Sequence, residues 1–331
     1  MSTTDNSTIG QYKLVNCIAS GQHSQVWEAV DGETTRRVAL KLLLPEALKD
    51  SEQLGALKHE FKVGSSFEHP NIIKYYTITA SRKQAYFAME LFPSPNLKTW
   101  AYNDLRGVHI RFKRLVELVA MGLEHIHEQG WLHRDIKPDN LLMNKSAEVR
   151  IVDFSLASRA ASMISKVFSR KQATVKGTRT YMAPEQILGR PLTRQTDIYN
   201  FGVTLFELLT GQAPFAGSTP KNLLLMHINQ IPPNPSQINE NVTPEMDRIV
   251  QRMLSKKPEQ RQKKMSEFLV EFRNVAVFKE EVTEAPVLSE REQADEALKK
   301  VLGGALDSRA DAMRTKFGGP TPEAPLKKPK P

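Results

Sequence analysis

The string His133-Arg134-Asp135-Ile136-Lys137-Pro138-Asp139-Asn140 gathers carboxylates, a carboxamide and cations in one short stretch, and Asp153-Phe154-Ser155 follows thirteen residues after Asn140, behind the apolar run Val149 to Val152. Phosphoryl transfer asks a protein for a carboxylate that orients an attacking hydroxyl and for oxygen ligands to a metal that bridges phosphates. Asp135, Asn140 and Asp153 supply those groups. A lone His-Arg-Asp turn is better explained by helix caps and a core histidine. The complete string with a second aspartate at this distance is not.

At these residues the chain resembles the eukaryotic-type (Hanks-type) serine/threonine protein kinases. The resemblance implies that Asp135 accepts or orients the substrate hydroxyl proton and that Lys137 steadies the transferring phosphate. Asn140 and Asp153 would hold Mg²⁺, with Mn²⁺ as an alternative. Upstream, Val38-Ala39-Leu40-Lys41 resembles the strand whose inward lysine contacts the α- and β-phosphates of ATP, and Glu60, nine residues before His69 of HPNII, falls where the family's regulatory helix carries the partner glutamate.

The same resemblance assigns the rest of the nucleotide site. Ile18 to Val26 reads IASGQHSQV where the family has three glycines. Only Gly21 remains, with the small Ala19 and Ser24 in place of the others. Glycines in such a loop let backbone N–H groups approach phosphates. Tyr86 to Phe92 is similar to the strand and hinge that hold adenine: Met89 as gatekeeper, Glu90 C=O and Phe92 N–H toward the base. Ile18, Val26, Ala39 and Leu142 are further ATP-binding candidates, and Asn96 is the ribose candidate.

Gly177 to Glu185, GTRTYMAPE, resembles the substrate-docking end of the activation segment. Glu185 would pair with Arg261, and Asp197 would tie the catalytic loop to a core helix. Lys137 together with Thr178 is the serine/threonine rather than the tyrosine pattern. Between Asp153 and Glu185 lie six basic residues and no acidic one. Thr174, three residues before Gly177, falls where the family carries its activating phosphothreonine, and Arg134 matches the arginine that receives it. Two departures stand out. Ser155 replaces a glycine and is expected to stiffen the metal-binding loop, because a non-glycine residue costs roughly 1–2 kcal/mol in left-handed backbone. Gly64 stands four residues after Glu60, where a side chain often packs.

Positioning these groups calls for two kinds of architecture. Short β-like runs at Tyr12–Ile18, Val26–Val30, Val38–Leu43, Ile72–Thr79 and Ala85–Met89 are interrupted by one polar helical segment, about Leu54 to Phe67. Helical periodicity begins after Leu97: Leu115, Leu118, Val119, Leu123 and Ile126, then helices over Asp197–Leu209, Pro220–Asn229, Pro244–Leu254 and Lys264–Asn274. The expected fold class is α+β, and the resemblance implies a bilobal kinase architecture. The expected organisation is a flexible 1–11, a kinase domain at 12–275 (β-rich lobe about 12–92, helical lobe about 93–275) and a tail at 276–331. In the tail, Ser289–Lys316 reads as helix and the Gly-, Pro- and Lys-rich end as disordered.

At 331 residues the chain is long enough for such a domain plus a tail. Its +9 formal charge lies upstream of residue 276, since 276–331 hold ten basic and ten acidic residues. A basic face can serve anionic partners, but no interleaved aromatic and basic pattern points to nucleic acid. A single cysteine, Cys17, rules out an intrachain disulfide and a thiolate zinc cluster. No membrane span or signal peptide is legible, so a cytoplasmic location is expected. The segments TGQAPFAG, LLMHI and IPPNPS look most like bacterial members. The reading is a MgATP-dependent kinase of protein Ser/Thr, activated by autophosphorylation that could involve self-association. A pseudokinase scaffold and a small-molecule phosphotransferase are the alternatives.

Overall fold

The computed structural model describes residues 8–81, 83–160 and 179–284. The first part is a six-stranded antiparallel sheet: β1 (Thr8–Ile9), β2 (Tyr12–Ser20), β3 (Ser24–Asp31), β4 (Arg37–Leu43), β5 (Tyr75–Ala80) and β6 (Ala85–Glu90), in the order β1-β2-β3-β4-β6-β5. Between β4 and β5 runs the helix α1 (Ser51–Gly64). It starts three residues before the sequence suggests because Asp50 accepts the Glu52 N–H at 2.8 Å and so caps it. It stops earlier, at Gly64, and Ile72 lies outside β5, forming instead a lone parallel bridge to Ile151.

The second part is helical. It contains α2 (Leu97–Asn103), α3 (Leu105–Ile110), α4 (Phe112–Glu128), α5 (Pro184–Ile187), α6 (Arg194–Thr210), α7 (Pro220–Asn229), α8 (Pro244–Met253) and α9 (Met265–Arg273). Two small ribbons carry the loops between α4 and α5: β7 (Trp131–Leu132) pairs with β10 (Ser158–Arg159), and β8 (Leu141–Met143) with β9 (Val149–Ile151). A helix whose residues are apolar on most faces belongs in an interior. Accordingly α6 is buried from Thr196 through Leu209 and ends at Gly211, whose φ of +80° is the left-handed cap glycine adopts without strain.

One continuous core runs from Leu57 and Val63 of α1 through Phe154 and α4 to α6, α8 and α9. A separate small core, Tyr12, Ala29, Val38, Leu40, Tyr86 and Ala88, covers the outer face of the sheet. The described residues up to Thr283 form one compact unit. The helix expected over Ser289–Lys316 and the disordered end lie outside the described residues. So do Thr174 and Thr178.

Candidate active site

Strand register puts the nucleotide-site candidates on one face. Residues directly opposite in an antiparallel pair share a face, as do i and i+2 along a strand. The pairs Ala19↔Val26, Val26↔Lys41, Ala39↔Met89 and Lys41↔Phe87 therefore align Ala19, Val26, Ala39, Lys41 and Met89 on the face opposite the small outer core. Ile18 is left 53% exposed, an apolar side chain not covered by any of the described residues. Gly21 donates its N–H to Ser24 C=O at 2.9 Å, closing the β2–β3 turn.

Lys41 reaches from that face to α1. Its Nζ donates to both Glu60 carboxylate oxygens, at 2.8 and 2.6 Å, and lies 3.9 Å from Asp153. Burial disfavours the ammonium, but the Glu60 and Asp153 carboxylates outweigh it and hold Lys41 protonated above the ordinary lysine value. Burial also pushes Glu60 up to about 7, against the pull of Lys41. Asp153 is brought down to about 2, because Lys41 and Ser155 offset its own burial.

These values carry a pH prediction. Protonating Glu60 removes the charge that orients Lys41, so turnover is expected to fall as pH drops through about 7. Stability runs the other way. A raised carboxyl pKa favours the folded state most below the ordinary carboxylate range, and that contribution is lost as pH rises through about 7. The pH–rate profile of wild type and of Glu60→Gln checks this: the variant should be slower and should lose the acidic limb.

The catalytic-loop candidates converge from the other side. Lys137 Nζ donates to Asp135 Oδ2 at 2.7 Å, and the Asn140 amide donates to Asp135 C=O at 2.8 Å and to its carboxylate at 3.1 Å. Val152 N–H donates to Asn140 C=O at 3.0 Å, which couples this loop to the strand leading into Asp153. Asp197, fully buried, accepts the N–H groups of His133 (2.9 Å) and Arg134 (2.7 Å), and its carboxylate lies 2.8 Å from His127 Nε2. These bonds hold Arg134 at φ +70°, a conformation costly for a bulky residue unless its surroundings fix it. Gln186 donates to Arg134 C=O at 2.9 Å and completes the clamp. Glu185 pairs with Arg261 through two bonds of 2.7 and 3.0 Å, both side chains buried.

Among the described residues no three or more His, Cys, Asp or Glu side chains cluster as a metal cage. Mg²⁺ is usually held by one or two carboxylates together with substrate phosphates. The sparse oxygen set of Asp153 and Asn140 suits a metal that arrives with a nucleotide.

A family model for the protein kinase domain matches residues 12–270. The chain belongs to the protein kinase family. Similar proteins include a probable serine/threonine-protein kinase of Clostridium acetobutylicum, 31% identical over 268 residues (80% of this chain, 40% of that protein). Serine/threonine-protein kinase PknB of Mycolicibacterium smegmatis is 29% identical over 299 residues, covering 88% of this chain and 47% of the relative. PknB of Mycobacterium tuberculosis is 28% identical over 319 residues, 94% and 50% respectively. The chain thus spans between two-fifths and half the length of these relatives. Membership of the family implies the use of ATP and a divalent metal. No helix among the described residues is long and apolar enough to cross a membrane.

Within this kinase domain the structure gives several of the candidate residues definite protein partners. Asn96 caps α2, its side chain accepting Thr99 N–H at 2.9 Å. The Glu90 side chain accepts two bonds from Arg150 Nε (3.0 and 3.1 Å), and Arg150 stacks 4.9 Å from the Phe92 ring, so the hinge is braced from β9. Leu142 lies in β8, where a lone bridge joins it to Asn96. In the metal loop it is Asp153 (φ +67°) and not Ser155 that has left-handed backbone. Ser155 instead donates its N–H to Asp153 Oδ1 at 3.2 Å.

Sequence reasoning also missed His127, Gln186 and Glu207. Glu207 accepts the Tyr181 hydroxyl at 2.6 Å and pairs with Lys98, joining the docking turn to α6 and α2. His127 and Glu207 sit inside ordinary helical patterns and Gln186 in a four-residue turn of helix, so only the fold shows what each touches.

Proposed function

We propose that this kinase domain transfers the γ-phosphoryl group of ATP to serine or threonine hydroxyls of protein substrates. The observation that carries the reading is the convergence of two chemically distinct sets. Lys41, Glu60 and Asp153 form one linked group that suits the phosphates and their metal. Asp135, Lys137 and Asn140 form another that suits the acceptor hydroxyl. Asp135 accepts the hydroxyl proton or orients it, and Lys137, already paired with Asp135, neutralises charge that develops on the transferred group. Asn140 and Asp153 would hold the Mg²⁺ of this proposal, which would supply positive charge to offset that of the phosphates.

A polypeptide acceptor is favoured by the docking turn Arg179–Tyr181, which Tyr181, Asn200 and Glu207 anchor to α6. Protein acceptor and small alcohols, each supplied with MgATP, distinguish the two classes: transfer to the protein alone is expected, and transfer only to small alcohols overturns the reading. Nucleic acid is not a proposed partner.

Regulation is part of the proposal. Phosphate on Thr174, added by a second copy of the kinase, would bring a charge of about −1.5 to −2 into a basic segment and toward Arg134. Arg134 suits this role: its side chain is partly buried, and its Nε is buried without a partner among the described residues. Thr174→Ala is expected to lower activity by about tenfold or more, the scale of one to two charge-assisted hydrogen bonds. Mass spectrometry after incubation with MgATP, with kinetics of the variant, checks it. An unphosphorylated Thr174 or a fully active variant contradicts it.

A further inference from the structure

Lys98 lies in the first turn of α2, and its ammonium reaches across to α6 to pair with Glu207, 109 residues further along the chain. The two ends of the pair differ in exposure: the lysine side chain is 51% exposed and the glutamate 7%. One carboxylate oxygen takes Lys98 and the other accepts the Tyr181 hydroxyl at 2.6 Å. A carboxylate with so little access to water needs a cation beside it, because an unpaired buried charge is costly.

The surroundings place this pair on the acceptor side of the site. Asn200, Thr204 and Glu207 follow one another at spacings of four and three along α6 and so share a face. Asn200 donates to Tyr181 C=O at 2.6 Å, the Thr204 hydroxyl meets Ile136 C=O at 3.2 Å, and Glu207 takes the Tyr181 hydroxyl. One face of α6 therefore holds both the docking turn and the catalytic loop, where Ile136 stands between Asp135 and Lys137. From the other side α2 packs against the Pro138–Asn140 turn of the same loop. Of the carboxylates gathered here, Asp135 is paired with Lys137 and Glu207 with Lys98, while Asp139 is exposed. Arg179, exposed at the start of the docking turn, adds a further cation.

We propose that Lys98 is a specificity-determining residue: it occupies Glu207, denies that carboxylate to basic side chains of the acceptor, and by its own charge favours acceptor segments with acidic residues beside the phosphorylated hydroxyl. Without Lys98 the same place would present a negative charge. Selectivity of this kind comes from the unfavourable contact as well as the favourable one. A lysine or arginine of the substrate meets a like charge, and a glutamate or aspartate meets an opposite one. The inference names the substrate class of the proposed reaction, acidic Ser/Thr segments, and so rests on that reading.

The test uses the full chain, MgATP and synthetic peptides with one central threonine, identical except that each flanking position in turn carries Glu, Ala or Lys. The readout is the ratio of kcat/KM for the Glu and Lys peptides with one enzyme, in which a general loss of activity or of folded protein cancels. With wild type, Glu should exceed Lys by about tenfold at one or more flanking positions, the scale of one partly exposed charge contact. Lys98→Met uncovers Glu207 and should reverse the order at those positions. Lys98→Arg keeps the cation and should keep the wild-type order. The double variant Lys98→Met/Glu207→Gln removes both charges and should be indifferent there. A purely structural role lowers activity on all peptides alike and leaves the ratio where it was.

A wild-type ratio near one at every position, or a ratio unchanged in Lys98→Met, overturns the proposal. Should Lys98→Met not fold, the double variant decides, since it leaves no buried charge unpaired: retention of the wild-type preference in it is equally fatal. Binding of the same peptides, followed by fluorescence anisotropy, separates the proposal from the reaction on which it rests. If wild type binds the Glu peptides more tightly and Lys98→Met the Lys peptides while neither transfers phosphate, the proposed reaction fails and the charge selection stands. Absence of both transfer and charge-dependent binding overturns both.

Discussion

Asp135→Asn is expected to lower the rate of phosphoryl transfer by about 10²- to 10⁴-fold, the usual scale for losing a positioned acid–base group. The substitution is nearly isosteric. It removes a charge that Lys137 and the Asn140 amide both engage, at 2.7 and 3.1 Å, and leaves Asp197 and its bonds to His133 and Arg134 untouched. The loop should therefore keep its shape. Affinity for MgATP should stay close to wild type because Lys41, Glu60 and Asp153 form a separate group. Single-turnover kinetics together with nucleotide binding check both halves. Loss of ATP binding would show instead that the loop had collapsed.

The second large effect concerns stability. Arg261→Ala should destabilise the domain by about 3–5 kcal/mol, the usual cost of leaving one member of a buried ion pair without its partner. Arg261 is fully buried, bonds Glu185 through two nitrogens, donates to the carbonyls of Ser255 and Gln195, and lies 4.8 Å from the Tyr199 ring. In a domain of this size that corresponds to a fall in Tm of roughly 10 °C. Arg261→Lys should recover little, since an ammonium cannot reproduce the planar two-point contact. The double variant Glu185→Ala/Arg261→Ala should cost less than the sum of the single variants, because the buried carboxylate is no longer unpaired. Additive losses in thermal melts would mean that the two side chains act independently.

How far the sequence could be read depended on how local each determinant is. Lys41 and Glu60 were legible because a strand motif and a fixed distance from HPNII mark them, and the structure joins them at 2.6 Å. The pairing of Glu185 with Arg261, 76 residues apart, was legible through the family resemblance and not through any local pattern. Helix ends were less legible. Asp50 starts α1 three residues early because capping depends on one side-chain bond, not on periodicity. His127 and Glu207 look like any polar residue in an amphipathic helix, and their meaning appears only where they meet Asp197 and Tyr181. Gly64 read as a missing side chain. The ring of Tyr75 fills that space from another element, and no spacing rule connects the two.

Mapping the product shows whether phosphate passes from ATP to a protein hydroxyl at Asp135. Full-length wild type and Asp135→Asn are each incubated with MgATP and a protein acceptor, and modified residues are identified by mass spectrometry. Phosphoserine or phosphothreonine on the acceptor with wild type, and almost none with Asp135→Asn, is the predicted result. Equal labelling by both proteins, or no labelling by wild type that binds MgATP, would contradict the account.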